Sequence, residues 1–242
     1  MNTSKTTRIS KLTGIFLREQ LREPISLLWP LISPSALFYF ITHSNAGTEN
    51  YIQATTGFYA YIACAVAFFG VAFYIIGRRE SGFIRSFIYT TEAKAIFLLS
   101  HLSCYFVAAI VYCVSFYMIT KPRYDAYSLT EFGEIIYKFL ICFMIFCSPA
   151  LYLANRKLKF QSASTTFSIL IFIMIFLALL ESTTKNPFLG LVNSLNPFLI
   201  AKNIMAGTSK PEPYAIISSL ILAATIALTS ANLKINPVWS RY

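Results

Sequence analysis

Ile169-Leu170-Ile171-Phe172-Ile173-Met174-Ile175-Phe176-Leu177-Ala178-Leu179-Leu180 decides the fold. Twelve successive positions carry no polar group, so the segment is apolar all round. A strand of a membrane β-barrel alternates apolar and polar residues; this run does not. A helix satisfies its backbone hydrogen bonds within one segment, which lipid demands. Extended back to Ser162, the run reaches the roughly 20 residues that cross a bilayer core.

Five more blocks of this kind lie along the chain: Ile25 to Thr42, Gly57 to Ile76, Ala95 to Ile119, Ile135 to Ala154 and Tyr214 to Asn232. With Ser162 to Leu180 they predict an all-α integral membrane protein with six transmembrane helices. Of 20 basic and 10 acidic residues in the 242, only Lys138 falls inside a span. The composition agrees: 56% apolar, 12% charged, mean hydropathy +0.60, where soluble domains carry about a quarter charged residues. Collagenous, disordered and disulfide-rich secreted classes are excluded.

The net charge of +10 is distributed as an orientation signal rather than a nucleic-acid surface, so no nucleic-acid partner is expected. Segments 1–24, 77–94, 155–161 and 233–242 hold five, four, three and two Lys or Arg. The intervening segments 43–56, 120–134 and 181–213 hold none, two and three. Fourteen against five places both termini in the cytoplasm by the positive-inside rule. The first block follows 24 polar residues, contains Pro30 and Pro34, and lacks a small-residue cleavage site, unlike a signal peptide. Cys64, Cys104, Cys113, Cys142 and Cys147 all lie inside spans without CxxC spacing. They read as small packing residues rather than metal ligands.

The segments between spans are too short for an independent domain, so 1–242 forms one transmembrane domain. No GxxxxGK[ST] loop, His-Glu-x-x-His or Gly-x-Ser-x-Gly motif occurs. No catalytic residue, metal or cofactor is therefore expected in this chain. Ion-coupled carriers keep Asp, Glu or His in the membrane core. Here His101 alone qualifies, and it reads as a hydrogen-bonded interhelical residue.

Two stretches outside the spans carry structure. Ser4 to Glu23 places Ile9, Leu12, Phe16, Leu17 and Leu21 at helical spacing, an amphipathic interfacial helix with basic residues toward headgroups. Pro24 disfavours helix at Glu23. Loop 77–94 sets Phe83, Ile84, Phe87 and Ile88 on one face of a helix expected from Ser81 to about Tyr89, with Arg85 elsewhere. Something must cover that face: the membrane, neighbouring spans, or a groove on a soluble partner. In segment 181–213, Asn186-Pro187-Phe188-Leu189 is echoed by Asn196-Pro197-Phe198-Leu199. These short apolar pieces suit re-entrant or interfacial helices, acting as a lid or as a structural collar. Ser33, Tyr39 and Thr42 in the first span are polar positions that could line a path or pack helices together.

The chain resembles the permease subunits of type-2 ATP-binding-cassette (ABC) exporters. The resemblance rests on Leu21-Arg22-Glu23-Pro24-Ile25 through Trp29, on Glu80-Ser81-Gly82 after the second span, and on Leu195-Asn196-Pro197-Phe198 before the last. Where the family often has Thr-Pro, this chain has Thr90-Thr91-Glu92. The resemblance implies two permease chains, as a homodimer or paralogous heterodimer, joined to two separate ATPases that hold ATP and Mg. It implies a prokaryotic inner-membrane location. It makes the 81–89 helix a coupling helix, with Glu80, Gly82, Phe83, Arg85 and Phe87 as coupling residues. Arg22 and Glu23 become the junction, and Asn196 and Pro197 mark the external segment. The expected cargo is a lipid-linked glycan, a peptide or a hydrophobic small molecule. A membrane-embedded enzyme acting on lipids, or a non-transporting assembly or immunity subunit of the same fold, are the competing readings.

Overall fold

A computed structural model describes residues 4–22, 24–42, 50–88, 90–183 and 187–233, and for 24–27, 87 and 181–183 the backbone alone. Every regular element among the described residues is helical: α1 Lys5–Leu21, α2 Pro24–Thr42, α3 Tyr51–Glu80, α4 Phe83–Phe87, α5 Thr91–Thr120, α6 Leu129–Ala154, α7 Phe160–Thr183, α8 Pro187–Ser194, α9 Pro197–Ala206 and α10 Pro211–Asn232. A 3-10 turn, Lys121–Arg123, ends α5. Five helices (α3, α5, α6, α7 and α10) are long and apolar enough to cross a membrane. The first expected span falls in α2, whose 19 residues include Pro30 and Pro34 and whose apolar stretch Leu28–Thr42 is shorter. Glu23 and the tail beyond Leu233 lie outside the described residues.

Local chemistry sets the helix ends. Ser4 caps α1 by accepting from Thr7 N at 3.4 Å. Thr90 caps α5 through Ala93 N at 3.1 Å, and Glu92 sits in the first turn, where the helix dipole favours a negative charge. Pro211 opens α10 at a position whose N–H has no helical partner to lose.

α3 is the centre of the bundle. It packs against α2, α5, α6 and α9, and its lower half against α7. Its buried face is dense with small and aromatic residues: Tyr59, Ala60, Ala63, Cys64, Ala67, Phe68 and Val71. Tyr59 meets Phe116 and Phe139 edge-on at 5.0 and 6.2 Å. All five cysteines are free and buried, filling space as their spacing indicates.

The outside is as apolar as the inside. α7 exposes Ile169, Phe172, Ile173, Phe176 and Leu179, and α10 exposes Ile216, Ile217, Leu220, Ile221 and Leu228. Water-exposed patches of this size are rare on soluble monomers; hydrocarbon is the solvent that tolerates them. The protein is an all-helical, multi-pass membrane protein.

α3 is not α-helical throughout. Val66–Ala72 form a seven-residue π-helix, a widened turn that recurs at functional positions. Within it Gly70 meets the ring of Tyr105, and a Cβ there would lie 2.4 Å from the ring.

α8 and α9 form the short apolar pair expected in segment 181–213, and they are pinned from within. Asn196 Nδ2 donates to Met174 O at 2.8 Å, while its Oδ1 accepts from Phe198 N at 3.1 Å and caps α9. Asn193 Nδ2 donates to Leu177 O at 2.8 Å. Pro197 supplies the first helical position, and Gly207, at φ +76°, ends the helix. Phe198, Ala201, Ile204 and Met205 are buried against α3, α6 and α7. The pair is packed into the bundle, with its polar amides satisfied as apolar surroundings require.

Candidate functional site

The Arg-Arg-Glu sequence at the end of α3 organises one end of the bundle. Arg79 is 1% exposed. Its Nε donates to Glu80 Oε1 at 3.0 Å, its Nη1 to the carbonyls of Ala154 and Arg156 at 3.1 and 2.8 Å, and its Nη2 to the carbonyl of Leu158. The last carbonyls of α6 have no helical partner and carry partial negative charge; Arg79 answers both needs. Glu80 is buried at 9%.

Arg78 points the other way. Its Nη2 donates to Glu19 Oε2 and to the Tyr74 hydroxyl, and Tyr74 itself donates to Glu19 Oε2 at 2.6 Å. The guanidinium lies 4.8 Å from the Tyr74 ring centroid and 4.5 Å from that of Phe83. Arg78 therefore ties α1, α3 and α4 together through one charge that stays protonated at any physiological pH.

Gly82 makes the bend between α3 and α4. Its φ of +77° lies in the left-handed region that glycine enters without penalty. α4 is one turn, Phe83–Phe87, where a longer helix from Ser81 to about Tyr89 was expected. Its apolar stripe is largely covered by the chain itself. Ile84 is 0% and Ile88 5% exposed, and Phe83 and Ile88 line one groove with Leu12, Ile15 and Phe16 of α1. Arg85 and Ser86 face outward. For Phe87 only the backbone is described.

α1 is likewise held by the bundle. Phe16 is buried at 4%. Thr13 Oγ1 donates to Ser100 O and Ser100 Oγ to Ile9 O, both at 3.2 Å. Lys5 and Arg8 lie 3.6 and 4.0 Å from Glu92. Arg18 and Arg22 are exposed. The periodicity of Ser4 to Glu23 shows the apolar face; that it faces α5 is a tertiary fact.

His101 is fully buried between the stacked rings of Tyr74 and Phe97, and its Nε2 is 3.2 Å from Val71 O in the π-helix. Its Nδ1 has no described hydrogen-bond partner. This is the interhelical role read from the sequence.

The remaining expected residues sit at the opposite end. The Tyr39 hydroxyl donates to Ile119 O at 2.6 Å. The Thr42 hydroxyl donates to Phe38 O at 2.7 Å, and the Thr42 carbonyl accepts from Arg123 Nη2 at 3.1 Å. Ser33 is half-buried in α2. Near them, Tyr51 links Tyr59 and Thr120 by hydroxyl contacts of 2.9 Å, and Lys121 pairs with Glu131 at 2.7 Å. Lys138, the charged residue inside a span, pairs with Glu134 at 2.6 Å. The His, Cys, Asp and Glu side chains among the described residues form no metal-binding cluster.

The partners of Arg78 and Arg79 are what loop composition alone did not show. The signal was available: two adjacent arginines at the C-terminal end of an apolar helix, where cations meet helix-end carbonyls.

No family model matches the chain, and no solved structure is significantly similar to it. Protein McbE of Escherichia coli is 28% identical over 236 residues, spanning 95% of this chain and 98% of that protein. The likeness therefore covers nearly the whole of both chains.

Proposed function

We propose that this chain is the membrane-spanning permease subunit of an ATP-driven ABC exporter, energised by a separate ATPase subunit. The observation that carries the reading is the single unit made of α1, the end of α3 and α4, joined through Arg78. An ATPase can bias a membrane protein between two access states only through unequal contacts with them. A short helix fixed by a charge to a span and to the amino-terminal helix, rather than hung on a loose loop, can carry such contacts into the bilayer. Arg85 and Ser86 are exposed on that helix, and Arg18 and Arg22 on α1. These would meet the ATPase, with Glu80, Gly82 and Phe83 shaping the turn behind them.

In this reading the α1 end is cytoplasmic in a prokaryotic inner membrane, and α2 is the first of six spans. Two copies, or this chain and a paralogue, pair with two ATPases. The cargo is a lipid-linked glycan, a peptide or a hydrophobic small molecule.

The test is copurification of the tagged full chain from its native membrane, followed by ATP-driven export in inverted vesicles. An ATP-binding subunit should copurify. The Phe83→Asp, Phe87→Asp double variant should insert normally, yet export poorly. Normal export by that variant, or ATP hydrolysis by the purified chain alone, would refute the proposal.

A further inference from the structure

Beside the Arg78 junction, a cleft of about 390 Å3 opens between α1, α3, α5 and α7. Its walls divide by chemistry. Phe69, Phe73, Tyr105 and Phe160 form an apolar side, with Phe73 and Phe160 stacked at 4.3 Å. Glu19, Gln20, Arg78 and Ser81 form the polar side. Phe69 is 37% exposed, on the outer surface of the bundle. The cleft is therefore amphipathic and lies where an interfacial helix meets the ends of the spans.

Its two charged groups are only half used. Both Arg78 hydrogen bonds run through Nη2, so Nε and Nη1 bond to no described residue. Glu19 accepts only at Oε2, and its side chain is 42% exposed. The Nε–H and Nη1–H groups that remain can each give a phosphate oxygen a charge-assisted hydrogen bond. A carboxylate oxygen beside it takes an ammonium. Single-sign ligands meet an adverse partner here: Glu19 opposes a plain anion, and Arg78 a plain cation.

We infer that this cleft binds one phospholipid with a primary-amine headgroup, from the leaflet that meets α1. Its phosphate sits on Arg78, its ammonium on Glu19, and the upper part of its acyl chains against Phe69, Phe73 and Phe160. The bound lipid would brace α1 against α3 and α7. The inference is independent of whether the chain exports anything.

The test is native mass spectrometry of the full chain, purified in mild detergent and titrated with dioleoyl lipids differing only in headgroup: ethanolamine, choline or glycerol. One phosphatidylethanolamine should be retained in preference to the other two, because choline has no N–H to give Glu19. Arg78→Lys keeps the charge and loses the Nε–H donor, and should weaken retention about tenfold, as losing one charge-assisted hydrogen bond does. Glu19→Gln should erase the preference for the amine. Ser81→Trp blocks the mouth without touching either charge, and should reduce retention even if Arg78→Lys proves unstable. Equal retention of the three lipids, preference for phosphatidylglycerol, or unchanged binding by Ser81→Trp would overturn the inference.

Discussion

The Nη1 of Arg79 lies 3.1 Å from the carbonyl oxygen of Ala154, so the end of the second expected span terminates the fourth. The same guanidinium holds Arg156 and Leu158 of the following turn and the carboxylate of Glu80. One buried side chain thus stops α6, shapes the turn into α7 and neutralises an adjacent acid.

Arg79→Met should be severely destabilising. It removes the donors to three carbonyls and the buried charge facing Glu80, a loss on the order of 3–5 kcal/mol. Arg79→Lys, which restores the charge but not the fork, should fall between. Thermal unfolding in detergent, followed by loss of the monodisperse size-exclusion peak, should rank the proteins wild type, Lys, Met. Equal midpoints would remove Arg79 from its structural role.

His101 separates ring from titration. Replacement by Phe keeps the stacking against Tyr74 and Phe97 and removes an unpartnered Nδ1, whose burial costs about 1–3 kcal/mol. It also loses one hydrogen bond to Val71, worth about 1 kcal/mol. His101→Phe should unfold at or above the wild-type temperature, and His101→Ala well below it, since large-to-small core changes cost about 3–5 kcal/mol. A folded His101→Phe protein without activity would show that the imidazole does chemistry.

Gly70 and Tyr105 should be coupled. A methyl at 70 collides with the Tyr105 ring, and overpacking of this kind costs about 1–3 kcal/mol. Gly70→Ala should lower the unfolding temperature, and adding Tyr105→Leu should recover part of the loss. A double-mutant cycle with no interaction energy would contradict the close approach.

The α8–α9 pair should loosen through a single amide. Asn196→Ala removes the cap of α9 and the bond to Met174, together about 2 kcal/mol. Asn196→Asp keeps the acceptor for Phe198 N but cannot donate to Met174 O. Limited proteolysis should cut 187–206 faster in both variants. Protection equal to wild type would exclude the amide as the pin.

The sequence makes the helical class legible because lipid leaves one strong periodicity-free signal: apolar blocks of spanning length with charges outside them. Ile169 to Leu180 shows this best. The start of α9 was visible in Asn196-Pro197, whose cap and first-turn chemistry is local. What stayed hidden was non-local. No pattern in 77–94 states that Ile84 and Ile88 are covered by this chain itself, because the groove that takes Ile88 comes partly from residues 8–16. The π-helix at 66–72 was equally silent. Val66-Ala67-Phe68-Phe69-Gly70 suits an ordinary helix, and the partners of the wider turn, Tyr105, His101 and Phe167 among them, come from other spans. Arg78 and Arg79 were counted as orientation charges, although their individual partners, Glu19 and the end of α6, lie 59 and 75 positions away in the chain.

The hydrogen bonds between Thr13 and Ser100, and between Ser100 and Ile9, have a consequence for biogenesis. The amino-terminal helix leaves the ribosome early, while its partner on α5 is more than eighty codons behind. During that interval its Phe16 face has no berth in the finished bundle. It must be sheltered by headgroups, or by the insertion machinery, until the hairpin of α3 and α5 is complete. Attaching a bulky, fast-folding domain ahead of Ser4 would test how much freedom that waiting segment needs.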